Sequence, residues 1–129
     1  MSVTHSVAAR NAAGDAVVAL IGASGKLAFR LTGTVGSPGT VVATLPLSAT
    51  AFGAASSGVN TANAITSDTN ATGNASPVAT ATLQTSAGTV VIHCAVAASA
   101  SDINMSNGLT IAAGDTVSCS SLTYTALPA

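Results

Sequence analysis

The sequence predicts a mainly β fold, a β-sandwich or jelly roll of about seven to eight strands with one N-terminal α-helix. Helical spacing of apolar residues is confined to residues 1–22, whereas later segments alternate apolar and polar residues. Turn-forming residues separate these later segments at intervals of roughly 8–12 residues. The 129 residues suit one domain, with a helical arm at 1–22 and a β body at 23–129.

The N-terminal helix is predicted from Thr4 to Ile21. Thr4 or Ser6 can cap its start, and Gly22 stands where a C-terminal residue with positive φ belongs. Gly14 weakens the helix by about 1 kcal/mol relative to Ala, so we expect the helix to depend on docking. The apolar residues expected near one stripe are Val3, Val7, Val17, Leu20 and Ile21.

The first strand is predicted after Gly25, where the apolar spacing changes from helical to alternating. Phe29 is expected in the core, together with Leu27 and Leu31. The basic residues Lys26 and Arg30 alternate with them, which predicts a solvent-facing side for both.

A Gly-Ser-Pro-Gly turn at 36–39 leads to a second predicted strand, Thr40–Leu47. Pro46 restricts the end of this strand to a sheet edge or a bend. A short strand is predicted at Thr61–Ser67. The following run, Asp68–Pro77, is rich in turn formers and is expected to be an exposed loop that suits variable contacts.

The clearest hairpin joins Val78–Thr85 to Thr89–Ala97 through a Ser-Ala-Gly turn. The residues expected on one face of its second strand are Val90, Ile92, Cys94 and Val96.

Shorter strands are predicted at Ile103–Met105 and Leu109–Ile111, and a last strand at Thr116–Thr125. The apolar alternation changes phase within this last strand. The change predicts a bulge near Ser120 or Ser121, or burial of both faces.

Only 5% of the residues are charged, against about 25% in an ordinary soluble domain. A surface so poor in charge is expected to be covered by other chains. Three Lys and Arg residues cannot neutralise a track of phosphates, so direct nucleic-acid binding is not expected. No uncharged apolar stretch has the 18 or more residues that a membrane helix needs, so no membrane partner is expected.

The residues that most enzymes use are few and scattered, so we expect no catalytic, cofactor-binding or metal-binding residues and no enzyme activity. His93 and Cys94 are adjacent in a strand and should point to opposite faces, which argues against a shared metal. Asp68 and Asp115 suit turns or caps, although a weak calcium site at 68–74 stays an alternative. Cys94 and Cys119 are expected to be free, half-buried thiols.

Three blocks resemble a family of small proteins encoded by tailed bacteriophages and prophages: THSVAARNAAGDAVVALI, TLPLSATAFGAASSGVNTANAITSDTNATG and IAAGDTVSCSSLTYT. They cover roughly half of the chain. The resemblance implies a structural role in the virion and supplies no site residues.

Composition and resemblance together predict a head decoration, or cement, protein on the capsid surface, made in the host bacterial cytoplasm. Its expected partners are the major capsid protein and further copies of itself, with a trimer favoured because capsids offer three-fold junctions. The alternatives are a neck, tail or head-fibre component, and a small host-surface or glycan-binding module displayed on the particle.

Overall fold

A computed structural model describes residues 3–128 and shows a mainly β protein with one helix and seven strands. The elements are α1 (Val7–Ala19), β1 (Lys26–Arg30), β2 (Val41–Pro46), β3 (Val59–Thr61), β4 (Thr80–Gln84), β5 (Val90–Ala97), β6 (Ile103–Asn104) and β7 (Thr123–Thr125). Five strands form a curled sheet in the order β2-β1-β4-β5-β6, and β3 pairs with β7 in a small second sheet. The mainly β prediction with one N-terminal helix is confirmed.

Strand β1 lies inside the sheet, antiparallel to both β2 and β4. Leu27 and Phe29 are in the hydrophobic core, as predicted, with Phe29 only 2% exposed. Lys26 and Arg30, which were predicted to face solvent, are only partly exposed. Ala28, which lies between them on the same side of the strand, is fully buried.

Strand β2 forms one edge of the sheet, as Pro46 predicted. The segment at 68–77 forms no helix or strand and most of its residues are exposed, as predicted, and it also lies along this edge. Gly73 N donates to the Val42 carbonyl at 3.0 Å, and Asp68 and Val117 exchange two backbone hydrogen bonds. The segment therefore covers β2 and is itself held by the C-terminal part of the chain.

The predicted hairpin is confirmed as β4 and β5, which pair antiparallel. The register shifts between Leu83 and Gln84, so that Leu83 pairs with Ile92 but Gln84 pairs with Val90. Cross-strand partners share a face, so this bulge moves Val90 away from Ile92, Cys94 and Val96. The prediction of a single face for these four residues fails at Val90 for that reason.

The C-terminal part is less regular than predicted. Strand β6 pairs parallel with β5, and Leu109–Ile111 forms no strand, although Ile111 is buried. The predicted strand at Thr116–Thr125 is broken: Val117 makes an isolated bridge to Asp68, and only β7 at the end is a strand. The change of apolar phase therefore marks an interruption, not a bulge.

Helix α1 begins after Ser6, whose Oγ accepts a hydrogen bond from Ala9 N at 3.1 Å. Gly22 has a φ of 70°, as its predicted position required. The predicted apolar stripe is wrong for Val3, Val7 and Leu20, which are 75%, 49% and 67% exposed. The prediction is confirmed for Ile21, which is 1% exposed just after the end of the helix. The helix itself buries Gly14 and Val18, which the predicted stripe did not include.

Candidate association surface

The inner side of α1 is fixed against the segment that leads into β3. Gly14 is buried, and a Cβ built on it would overlap Asn60 Oδ1. Asp15 Oδ1 accepts hydrogen bonds from Ala55 N at 2.8 Å and from Asn60 Nδ2 at 2.9 Å. Asn60 is fully buried, so this contact fixes the helix by both packing and polar bonds.

Two further side chains fix the N-terminal half of the helix to the same segment. Arg10 Nη1 donates to the Ser57 carbonyl at 3.0 Å, and Asn11 Oδ1 accepts from Gly58 N at 2.7 Å. These bonds satisfy backbone groups in a turn where Ser57 and Gly58 both have positive φ. The polar residues of α1 are thus used for attachment to the β body.

The opposite side of α1 carries only apolar residues and is exposed. We call it the outer helix face and define it by six residues: Ala8, Ala9, Ala12, Ala16, Ala19 and Leu20. A helix on a protein surface ordinarily presents charged and polar residues to water. This side instead presents small apolar side chains, which allow another surface to approach closely.

Other large apolar side chains are exposed near the start of the helix. Val3 and Val7 are 75% and 49% exposed and lie within one turn of the N-terminus of α1. They form a second exposed apolar area, separate from the outer helix face. Large exposed apolar areas on soluble proteins commonly mark association surfaces.

Among the clefts on the described part of the chain, one involves α1 and another the C-terminal segment. The smaller, about 250 Å³, lies between α1 and residues 49–54. The larger is an open cleft of about 670 Å³, lined by Phe29 and by much of the segment 102–123. Its carboxylates, Asp102 and Asp115, are both engaged by backbone donors, which limits their use in acid–base chemistry.

All four aspartates accept hydrogen bonds from backbone N–H groups. Asp115 Oδ2 accepts from Ala112 N at 2.9 Å, as expected for a turn residue. Asp68 uses both oxygens, accepting from Asn70 N and Thr44 N at 2.9 Å each. The turn roles predicted for Asp68 and Asp115 are confirmed.

His93 pairs across strands with Thr82, so the polar cross-strand environment that its position predicted is confirmed. Cys94 follows it on the opposite face and packs against the core. Within residues 3–128, no three His, Cys or Asp side chains are grouped closely enough to hold a metal ion.

Both thiols are free and half-buried. Burial raises the pKa of Cys94 to about 11, and the negative charge of Asp102 adds to the shift. Burial also raises the pKa of Cys119. A raised pKa lowers the thiolate fraction at neutral pH, which makes both thiols poor nucleophiles.

The outer helix face was not predicted from the sequence, although its signal is present. Ala8, Ala12, Ala16 and Leu20 recur at intervals of four, the spacing of one helix side. The predicted stripe followed the larger apolar residues instead of these positions.

Comparisons with models of protein families, with curated proteins and with solved structures gave no match to this chain. Within residues 3–128, no helix has the length and apolar character needed to cross a membrane.

Proposed function

We propose that this protein is a structural component of a bacteriophage virion, a decoration or cement protein that binds the major capsid protein and stabilises the head. The observation that carries the proposal is the outer helix face, an exposed helix side without a charged or polar residue. Covering it would remove apolar surface from water and stabilise an assembly. The resemblance of three sequence blocks to phage and prophage proteins supports the same role.

The low charge of the whole chain supports attachment in many copies. Adjacent identical subunits carrying a net charge of −1 and few charged residues repel one another only weakly. Specific protein contacts typically bury about 1,200–2,000 Å², and each one formed only by the assembled shell stabilises that shell by mass action. Self-association as a trimer at three-fold junctions, on the outside of the capsid, belongs to the proposal. A sandwich or jelly-roll arrangement of the strands stays a prediction.

The proposed role involves no catalysis, cofactor, metal ion, nucleic acid or membrane. The alternatives are a neck, tail or head-fibre component, and a host-surface or glycan-binding module on the particle. The number of copies per virion separates them. Quantitative mass spectrometry of purified virions should find this chain in amounts comparable to the major capsid protein. A few copies per particle would assign it to the neck or tail, and absence from virions would contradict a structural role.

The outer helix face can be tested separately, by substitution and not by deletion, since removing the helix would also remove Val18 and Ile21 from the core. Ala12→Glu places a charge on this face, and the residue retains good helix propensity. Binding to capsids that lack the protein should be lost while circular dichroism is unchanged. Ala87→Glu, at the exposed tip of the β4–β5 hairpin, is the matched control and should bind normally. Full binding by Ala12→Glu would remove the helix from the proposed contact.

A further inference from the structure

The polar face of the five-stranded sheet holds a half-buried arginine whose contacts are all neutral. Arg30 Nε donates to Thr82 Oγ1 at 3.0 Å, Nη1 to the Gly39 carbonyl at 2.8 Å and Nη2 to Gln84 Oε1 at 2.9 Å. Thr82 Oγ1 in turn donates to Gln84 Oε1 at 2.9 Å, and both residues are buried. The sheet therefore holds the guanidinium in one orientation.

Two N–H donors of this guanidinium make no hydrogen bond to residues 3–128. An arginine side chain has five N–H groups, and the three bonds use one on each nitrogen. One N–H on Nη1 and one on Nη2 have no acceptor within residues 3–128. Donors on both terminal nitrogens can bind the two oxygens of one carboxylate.

No aspartate of this chain neutralises Arg30. Asp15, Asp68, Asp102 and Asp115 each accept backbone N–H groups, and none is bonded to Arg30. Arginine is seldom buried without a paired charge, because removing a charge from water is costly. A carboxylate on another molecule can supply the pairing that the chain's own aspartates do not.

Two other basic side chains share this face. Lys26 lies four residues before Arg30 on the same strand and pairs with Gln84 of β4. His93 pairs with Thr82 from the other side of β4. Side chains at alternate positions and in cross-strand pairs share a face, so all three basic residues surround the same two polar residues.

We propose that this surface, the Arg30 face (Lys26, Arg30, Thr82, Gln84 and His93), binds an acidic segment of a partner protein. One Asp or Glu carboxylate accepts the two free Nη donors of Arg30, and a second lies near Lys26. Two positive charges, one of them held in place by hydrogen bonds, suit a short acidic peptide better than nucleic acid, which requires a longer track of basic residues. This proposal does not depend on a role in the phage head.

Hexaglutamate is a suitable probe for the Arg30 face. Titration of the ¹⁵N-labelled protein at low salt should produce a saturable shift of the Arg30 Nε resonance. Arg30→Lys keeps the charge but loses the paired donors, and should weaken binding about fivefold or more. Arg10→Lys is the matched control, since Arg10 lies on α1 and donates to Ser57. This control should bind as the wild type does.

A second variant tests the same face in case Arg30→Lys does not fold. Lys26→Gln removes a charge that makes no side-chain hydrogen bond to residues 3–128, and it should also weaken binding. The proposal fails if hexaglutamate produces no saturable shift of Arg30 Nε in the wild type, or if Arg10→Lys loses as much affinity as Arg30→Lys. It also fails if a thymidine hexanucleotide binds this face more tightly than hexaglutamate, which would identify a nucleic-acid site.

Discussion

Gly14 and Asn60 are in direct contact, with the helix backbone at Gly14 lying against the buried Asn60 side chain. A Cβ at position 14 would overlap Asn60 Oδ1. Asn60 Nδ2 is fixed by Asp15 Oδ1 at 2.9 Å and by the Gly53 carbonyl at 3.0 Å, so the amide cannot turn away without losing these bonds. The residue that weakens the isolated helix is the one that lets the helix dock.

This contact predicts the sign of the effect of Gly14→Ala. In an exposed helix the change would stabilise by about 1 kcal/mol, because Ala has the higher helix propensity. Here we expect a loss of about 1–3 kcal/mol from overpacking against Asn60. Urea denaturation measures the difference. Gly36→Ala, where a Cβ has open space, is the control and should change stability little. Stabilisation by Gly14→Ala would contradict the contact.

Phe29 provides a test of the core. It is 2% exposed on the interior strand β1, so Phe29→Ala should reduce the free energy of unfolding by about 3–5 kcal/mol. Val35→Ala is a suitable comparison, because Val35 is 63% exposed, and its effect should stay within about 0.5 kcal/mol. If Phe29→Ala and Val35→Ala unfold at similar urea concentrations, Phe29 is not a core residue.

The contact between segment 68–77 and the edge strand β2 can be tested at Asp68. Its two oxygens accept from Thr44 N and Asn70 N, so Asp68→Ala leaves both donors without their partner. We expect a loss of about 1–3 kcal/mol in thermal or urea unfolding. Asp68→Asn keeps one acceptor oxygen and should lose less. Equal losses for the two substitutions would show that the carboxylate oxygens do not act as acceptors here.

The reactivity of Cys94 should depend strongly on pH. Because its pKa is raised to about 11, alkylation by iodoacetamide in the native state should be slow at pH 8 and accelerate toward pH 11. Mass spectrometry of Cys119→Ser isolates Cys94, and unfolding in urea should restore rapid alkylation at pH 8. Rapid native alkylation at pH 8 would contradict the burial.

The same raised pKa affects stability. The folded state favours the protonated thiol, so the contribution of Cys94 is fully present below the pKa of the unfolded thiol. It is lost as the pH rises from about 9 toward 11. Cys94→Ala should therefore show a smaller decrease in melting temperature over that pH range than the wild type does.

The strands at 26–30, 41–46, 80–84 and 90–97 could be predicted because alternation and turn residues are local signals. The buried side of the helix could not, since the packing of Gly14 on Asn60 depends on a segment more than 40 residues away. The burial around Arg30 could not be predicted from the sequence for a similar reason. Alternation predicts one solvent-exposed face, whereas Ala28 and its cross-strand partner Thr82 on that face are fully buried.

The docking of α1 against β3 and β7 has a consequence for synthesis of the chain. Helix α1 is synthesised before β3 and β7, so its binding site on the β body is incomplete until Thr123–Thr125 have been made. Contacts between residues so distant in sequence form slowly, within milliseconds to seconds in small β proteins. A ribosome-bound chain thus leaves both the outer helix face and the docking side of α1 uncovered until β7 has emerged, and chaperones have that interval in which to bind it.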